Sequence, residues 1–189
     1  NLKIPLSNIG KSAERLVDLV SGLLVVSRLE SGNQKPQLTT FNINPLISEV
    51  IEELKPIAAP KNINLKAGLG EDAKVKADLG FTRQILENLI GNAMKFTPAG
   101  EVVISSKITG RFLNIYVADT GTGISKNDQP QIFDKFFQIN SNTKGRPAGT
   151  GLGLYLSAQM AKMMGGKLKL EKSEVGKGST FVISLPVIS

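Results

Sequence analysis

The stretch Glu87-Asn88-Leu89-Ile90-Gly91-Asn92-Ala93-Met94-Lys95-Phe96-Thr97 reads as the second half of an amphipathic helix running from Thr82 to Phe96. Ile85, Leu89 and Ile90 recur at helical spacing on its inward side. Asn88 and Asn92 stand four residues apart, so they share one face, and Lys95 joins that face three residues on. Two amide oxygens together with triphosphate oxygens suit a Mg²⁺ shell, with Lys95 adding positive charge. The plainer reading is a solvated helix face, and the helix alone leaves both readings open. Thr97-Pro98-Ala99-Gly100 ends the element.

Outward from this helix, Val102 to Thr109 and Phe112 to Ala118 read as a hairpin around Thr109-Gly110-Arg111. Upstream, Ile63 to Leu69 alternates like a strand, with Ile63, Leu65 and Ala67 on one side, and Val75 to Ala77 is a second short strand. Phe41-Asn42-Ile43 is expected as a strand, followed by a helix capped by Asn44 with Pro45 at its first position. Downstream, helical patches are expected around Pro130 to Phe137, then a helix from Thr150 to Met164 broken by Gly165-Gly166, and two strands, Lys167 to Lys172 and Thr180 to Leu185. A long helix over residues 5 to 30 opens the chain. Its apolar or small residues Ile9, Ala13, Leu16, Val20, Leu23 and Ser27 form a heptad seam, with Leu6, Val17, Leu19, Leu24 and Val26 widening it. The seam suits pairing with another helix better than packing on its own domain. Gly32 is placed as its C-terminal cap. Residues 33–40 read as a linker. This order predicts an α+β fold, a two-layer α/β sandwich behind a long N-terminal helix, and not a doubly wound parallel sheet.

Composition removes whole classes of chemistry. Among 189 residues there is no His, no Cys and no Trp. That leaves no Ser-His or Cys-His pair, no disulfide framework, and no thiolate or imidazole metal site, so a metal would need oxygen ligands. No run approaches the roughly 18 apolar residues that span a bilayer, and no secretory leader is seen at the start. With 23 Lys+Arg against 16 Asp+Glu, the net charge of +7 suggests a polyanionic partner or simply good solubility.

Three glycine clusters supply the polyanion site. Asp119-Thr120-Gly121-Thr122-Gly123-Ile124 follows a strand, Gly149-Thr150-Gly151-Leu152-Gly153-Leu154 runs into a helix, and Gly176-Lys177-Gly178-Ser179-Thr180 enters the last strand. Glycine lets backbone amides approach a ligand closely, and a helix N-terminus attracts anions, so the second cluster reads as a phosphate cradle. Asp119 is either a turn cap or the acceptor for an exocyclic amine such as that of adenine. No Walker A sequence and no dinucleotide-binding unit is present.

Taken together these segments resemble the sensor histidine kinases. Glu87 to Thr97 looks like their N box, Asp119 to Ile124 their G1 box, Ile132-Phe133-Asp134-Lys135-Phe136-Phe137 their F box, Gly149 to Leu154 their G2 box and Gly176 to Phe181 their G3 box, all in family order. The resemblance implies a Bergerat-type sandwich that binds ATP and Mg²⁺. It implies that Asp119 holds the adenine amine beside Gly121, Gly123 and Ile124, with Thr180 supporting that side. Asn92, helped by Asn88, would hold Mg²⁺, Lys95 would touch phosphate and Phe96 would lie near the nucleoside. Gly149, Thr150, Gly151, Leu152 and Gly153 would bring main chain to the phosphates, with Leu154 packed behind. Residues 138–148 would be a lid carrying Lys144 and Arg146 to the terminal phosphate, with Phe136 and Phe137 docking it.

Residues 1–32 resemble the second helix of the family's dimerisation and phosphotransfer hairpin, and residues 41–189 the ATP-binding catalytic domain. The implied activity is transfer of the ATP γ-phosphoryl group to a histidine. The acceptor histidine is absent from the sequence, so no catalytic residue of that kind is assigned and the chain alone is not expected to phosphorylate itself. The implied partners are a histidine-bearing hairpin, a response regulator receiver domain and a second copy in the intact protein, in the cytoplasm. The intact protein could be membrane-anchored, but this stretch is expected to touch neither membrane nor nucleic acid. Two other readings remain: a non-catalytic nucleotide-binding or dimerisation module, and a related Bergerat-fold ATPase. The ATPases need a Glu where Asn88 stands, and the neighbouring Glu87 points about 100° away on the helix.

Overall fold

The computed structural model describes residues 3–32, 34–139 and 149–188, with the side chains of residues 3–9, 11, 12, 14, 15, 18 and 30 outside what is described. Four helices and seven strands occur among them: α1 (Lys3–Glu30), β1 (Thr39–Asn42), α2 (Ile43–Ala58), β2 (Ile63–Gly68), β3 (Lys74–Ala77), α3 (Leu79–Phe96), β4 (Gly100–Thr109), β5 (Phe112–Asp119), α4 (Gly153–Met163), β6 (Lys167–Glu174) and β7 (Gly178–Pro186). Five strands form one sheet in the order β2-β4-β5-β7-β6. Only β2 and β4 run parallel, with Ile63 opposite Gly100. β1 and β3 make a separate antiparallel pair, linked to the end of β7 through Val75 and Val187.

The two layers follow from two periodicities. On β5, Leu113, Ile115 and Val117 alternate inward and are fully buried. On α3, Ile85, Leu86, Leu89 and Ile90 are buried at helical spacing. Burying each such side chain contributes about 2 kcal/mol. The result is the expected α/β sandwich, with a mixed and mainly antiparallel sheet.

Several boundaries differ from the sequence expectations. The strand after the linker is Thr39–Asn42, and Ile43 already begins α2, so Asn42, not Asn44, is the N-cap. The reason is tertiary: the loop between β2 and β3 takes up the first helical amides, with Ile43 N donating to Ala73 O at 3.1 Å and Asn44 N to Asp72 Oδ1 at 3.1 Å. α3 starts three residues earlier than expected because Asp78 caps it, Oδ1 accepting from Phe81 N at 2.9 Å. Asp78 Oδ2 also accepts from Gln37 N at 2.7 Å, tying the linker to the helix that carries the asparagines. α4 begins at Gly153, not Thr150, because Gly151 has φ +73°. The patches around 130–137 reduce to one 3-10 turn, Gln129–Gln131. Ala67 is exposed, unlike Ile63 and Leu65.

α1 has two apolar faces, and the seam is not the one that packs. Val26 and Leu29 are buried in the core, and Gly22 lies so close to Leu152 that a Cβ there would come within 2.8 Å of Cδ1. The described seam residues Leu16, Val20 and Leu23 stand 63%, 51% and 53% exposed. Gly32 takes the left-handed conformation at φ +69° after the last turn, as a C-terminal cap requires.

Candidate functional site

Two structures converge at one end of the sheet. The first is the C-terminal end of β5. Pairing with β7 fixes it, Ala118 lying opposite Thr180. Asp119 Oδ1 accepts from Gly121 N at 2.8 Å and from Ser179 N at 3.2 Å. No hydrogen bond to Oδ2 is made among the described residues. Burial pushes the Asp119 carboxyl above its ordinary range, and the two amides partly offset this. The glycines around it are needed because backbone fills the space beside them. A Cβ on Gly121 would lie 2.3 Å from Phe96 O, one on Gly123 2.0 Å from Glu174 O, and one on Gly178 1.9 Å from Asp119 O. Gly123 and Gly178 also have φ +67° and +94°. Ile124 packs on the core, its N donating to Ser173 Oγ at 2.8 Å, and Thr180 is buried beside β5.

The second structure is the polar face of α3 against the start of α4. Asn92 Nδ2 donates to Asn88 Oδ1 at 3.2 Å, and Asn88 Nδ2 donates to Ser157 Oγ at 2.9 Å. A Cβ on Gly153 would lie 2.3 Å from Asn88 Oδ1, so the helix start sits directly on that amide. Lys95 Nζ lies 5.2 Å from the Phe96 ring centroid, within cation–π range, and a Cβ on Gly149 would be 2.8 Å from the same Nζ. Phe96 itself is 37% exposed at the opening between the two structures. The expected face of Asn88, Asn92 and Lys95 is therefore brought together with both glycine clusters.

The rest of the G2 segment divides into core and rim. Leu152 is fully buried, its N donating to Thr150 Oγ1 at 3.3 Å, and Leu154 packs against the core. Gly149 O accepts from Gln138 Nε2 at 3.0 Å. Phe136 N donates to Gly151 O at 3.0 Å, and Phe136 holds φ +63°, a conformation that costs a bulky residue energy. Phe137 packs on the core whereas Phe136 is half exposed. Lys144 and Arg146 lie outside the described residues. Sequence reasoning did not single out Ser157, Asp78 or the hydroxyl pair Ser173 and Ser179, whose Oγ atoms are 2.9 Å apart under the G1 turn. Asp78 alone had a signal, an N-cap residue type directly before the helix.

For a divalent cation the donor set is informative. No group of three or more His, Cys, Asp or Glu side chains that would hold a metal occurs among the described residues. No hydrogen bond to Asn92 Oδ1 is made among them either, so one neutral oxygen is left to coordinate. A hard cation held by one or two amide oxygens needs further oxygens, and a bound polyphosphate carries them.

With this geometry in hand, likeness to known proteins is decisive. The family described as histidine kinase-, DNA gyrase B-, and HSP90-like ATPase matches residues 77–189, more than half of the chain. The chain belongs to this ATPase family. Among curated relatives, the circadian input-output histidine kinase CikA of Synechococcus elongatus is 36% identical over 179 residues, covering 93% of this chain and 24% of that protein. The sensor-like histidine kinase SenX3 of Mycolicibacterium smegmatis is 32% identical over 175 residues, covering 92% of this chain and 45% of that protein. Among solved structures, full-length ShkA in complex with AMPPNP superposes with a TM-score of 0.84 at 31% identity, covering 99% of this chain and 39% of that one. The chain thus spans less than half the length of each of these three histidine kinases. As an ATPase-family domain it carries the ATP-binding portion of such proteins. No helix among the described residues is long and apolar enough to cross a membrane.

Proposed function

We propose that this chain is the ATP-binding catalytic part of a two-component sensor histidine kinase, binding Mg·ATP and passing its γ-phosphoryl group to a histidine on a separate helical hairpin. In that step a bond forms between an imidazole nitrogen and the γ-phosphorus, the bond from that phosphorus to the β,γ-bridging oxygen breaks, and ADP leaves. The observation that carries the reading is one continuous wall. It runs from Asp119 through Gly121 and Phe96 to Lys95, Gly149, Asn92 and Asn88, with a carboxylate at one end and two side-chain amides at the other. Asp119 Oδ2 would accept from the adenine amine. Asn92 Oδ1 would join phosphate oxygens around Mg²⁺, which neutralises charge on the transferring group, and Lys95 would contribute a further positive charge. Lys144 and Arg146 would act at the terminal phosphate.

Hydrolysis is not the favoured outcome. Asn88 cannot serve as a general base, and Glu87 is drawn outward, its Oε1 4.0 Å from the Arg83 guanidinium that also binds Glu49 and Glu53. The same reading makes residues 1–32 part of a dimerising hairpin, residues 33–40 its linker and a receiver domain the next acceptor, in a cytoplasmic unit. The test mixes the chain, labelled ATP, Mg²⁺ and a histidine-bearing hairpin. Acid-labile label on the hairpin is expected. Release of free phosphate with none transferred overturns the kinase reading in favour of an ATPase.

A further inference from the structure

We propose that Ser157, a buried residue of α4, is a positioning residue that anchors the Asn88 amide and through it presents Asn92 Oδ1 to the metal. This rests on the reading of the Asn88–Asn92 face as a Mg²⁺ site.

The amide of an asparagine is nearly symmetric in shape, and its terminal torsion is broad and roughly two-fold. Turned one way it offers oxygen to a cation; turned the other it offers an NH₂ group, which repels one. Something must choose. Asn92 Nδ2 is engaged by Asn88 Oδ1, which leaves Asn92 Oδ1 as the outward atom. That arrangement holds only while Asn88 keeps its own oxygen toward Asn92. Asn88 is held there from behind, its Nδ2 donating to Ser157 Oγ at 2.9 Å. Ser157 is only 3% exposed, so water does not replace it readily.

The slot is built by two positions one helical turn apart on α4. Gly153 has no Cβ where one would lie 2.3 Å from Asn88 Oδ1, and Ser157 supplies the acceptor for the other end of the same amide. The helix that leaves the phosphate-side glycine cluster thereby clamps Asn88, and Asn88 orients Asn92. Remove the hydroxyl and Asn88 gains nothing from its present orientation at that end, so both amides can turn together.

The experiment measures ATP affinity by calorimetry in Mg²⁺ and again in excess EDTA, for wild type, Ser157→Ala, Ser157→Thr and Ser157→Val. Thr and Val share a shape, so their difference isolates the hydroxyl. Ser157→Ala and Ser157→Val are expected to lose about five- to tenfold of the Mg²⁺-dependent gain, the worth of one buried hydrogen bond. Ser157→Thr should keep the gain to within about twofold, and Thr and Val should bind alike in EDTA. Equal Mg²⁺-dependent gains in Thr and Val, or a full gain in Ala, overturn the inference while leaving the metal reading intact. A wild-type protein with the same affinity in both media overturns the metal reading, and this inference with it.

Discussion

The rim at Asp119 and the rim at Asn88 to Lys95 are both lined with glycine, yet the glycines meet different neighbours. At Asp119 the closest approach of each is to backbone: Gly121 to Phe96 O, Gly123 to Glu174 O, Gly178 to Asp119 O. At the second rim Gly149 meets Lys95 Nζ and Gly153 the Asn88 amide, both side chains, and only Gly151 between them meets backbone, that of Phe136. Backbone pinned in a sheet or at a helix end cannot move aside, whereas a lysine tip can. The first rim is therefore a fixed mould, suited to a rigid planar group. The second is more adjustable, which suits the proposed site for flexible phosphates and a cation.

The sharpest way to break this contrast is Gly178→Ala. The new Cβ would lie 1.9 Å from Asp119 O, at φ +94°, where an L-residue is strained. The expected cost is about 4 kcal/mol or more of stability, read as a large fall in the thermal midpoint. A midpoint near wild type would show that the first rim yields as easily as the second.

Asp119→Asn comes next, and here binding and stability should separate. Asn keeps an oxygen for the amides of Gly121 and Ser179 but loses the charged acceptor at Oδ2, so ATP affinity should fall by about 2–3 kcal/mol, on the order of a hundredfold. Stability should not fall with it. Because burial raises the Asp119 carboxyl, that group favours folding most below the ordinary carboxylate range, and the contribution is lost as pH rises through the raised value. At neutral pH the carboxylate therefore opposes folding, and Asn removes the penalty. The thermal midpoint of the ligand-free variant should stay level or rise. For the same reason wild-type ATP affinity should begin to fall, on acidification, at a higher pH than an ordinary aspartate would give. A merely structural Asp119 predicts the reverse, a lower midpoint with affinity unchanged.

Gly149→Ala probes the soft rim. Its Cβ would meet only Lys95 Nζ, at 2.8 Å, and no left-handed φ is required there. Displacing a lysine tip should cost less than about 1 kcal/mol in stability and shift ATP affinity only a few-fold. A loss as large as that of Gly178→Ala would remove the distinction between the rims.

How far these differences can be read from sequence follows from the same physics. The clusters, the order of elements and the shared face of Asn88, Asn92 and Lys95 are local facts of spacing, and all were legible. The cap of α2 was not, because Asn42 and Asn44 are equally plausible until Asp72 arrives from another loop to take the Asn44 amide. The start of α4 was blurred because Gly-rich sequence fits both a loop and a first turn, and only the φ of Gly151 decides. Ser157 stayed hidden because one serine on a helix carries no pattern; its meaning lies wholly in the residue across from it. The heptad of α1 was legible as a stripe that wants cover, but spacing alone does not say what covers it.

That stripe supports the smallest effect. On α1 two apolar faces differ as the two rims do, one committed and one open. Val26 and Leu29 are buried against the core, so the helix is held without help from the seam. Leu23 is 53% exposed. Leu23→Ser should therefore move stability by no more than about 0.5 kcal/mol. If the seam pairs with a second copy, the same change should weaken self-association measured by light scattering, by removing apolar surface from the contact. A drop in monomer stability of about 2 kcal/mol, with association unchanged, would mean that the seam belongs to this chain's own core after all.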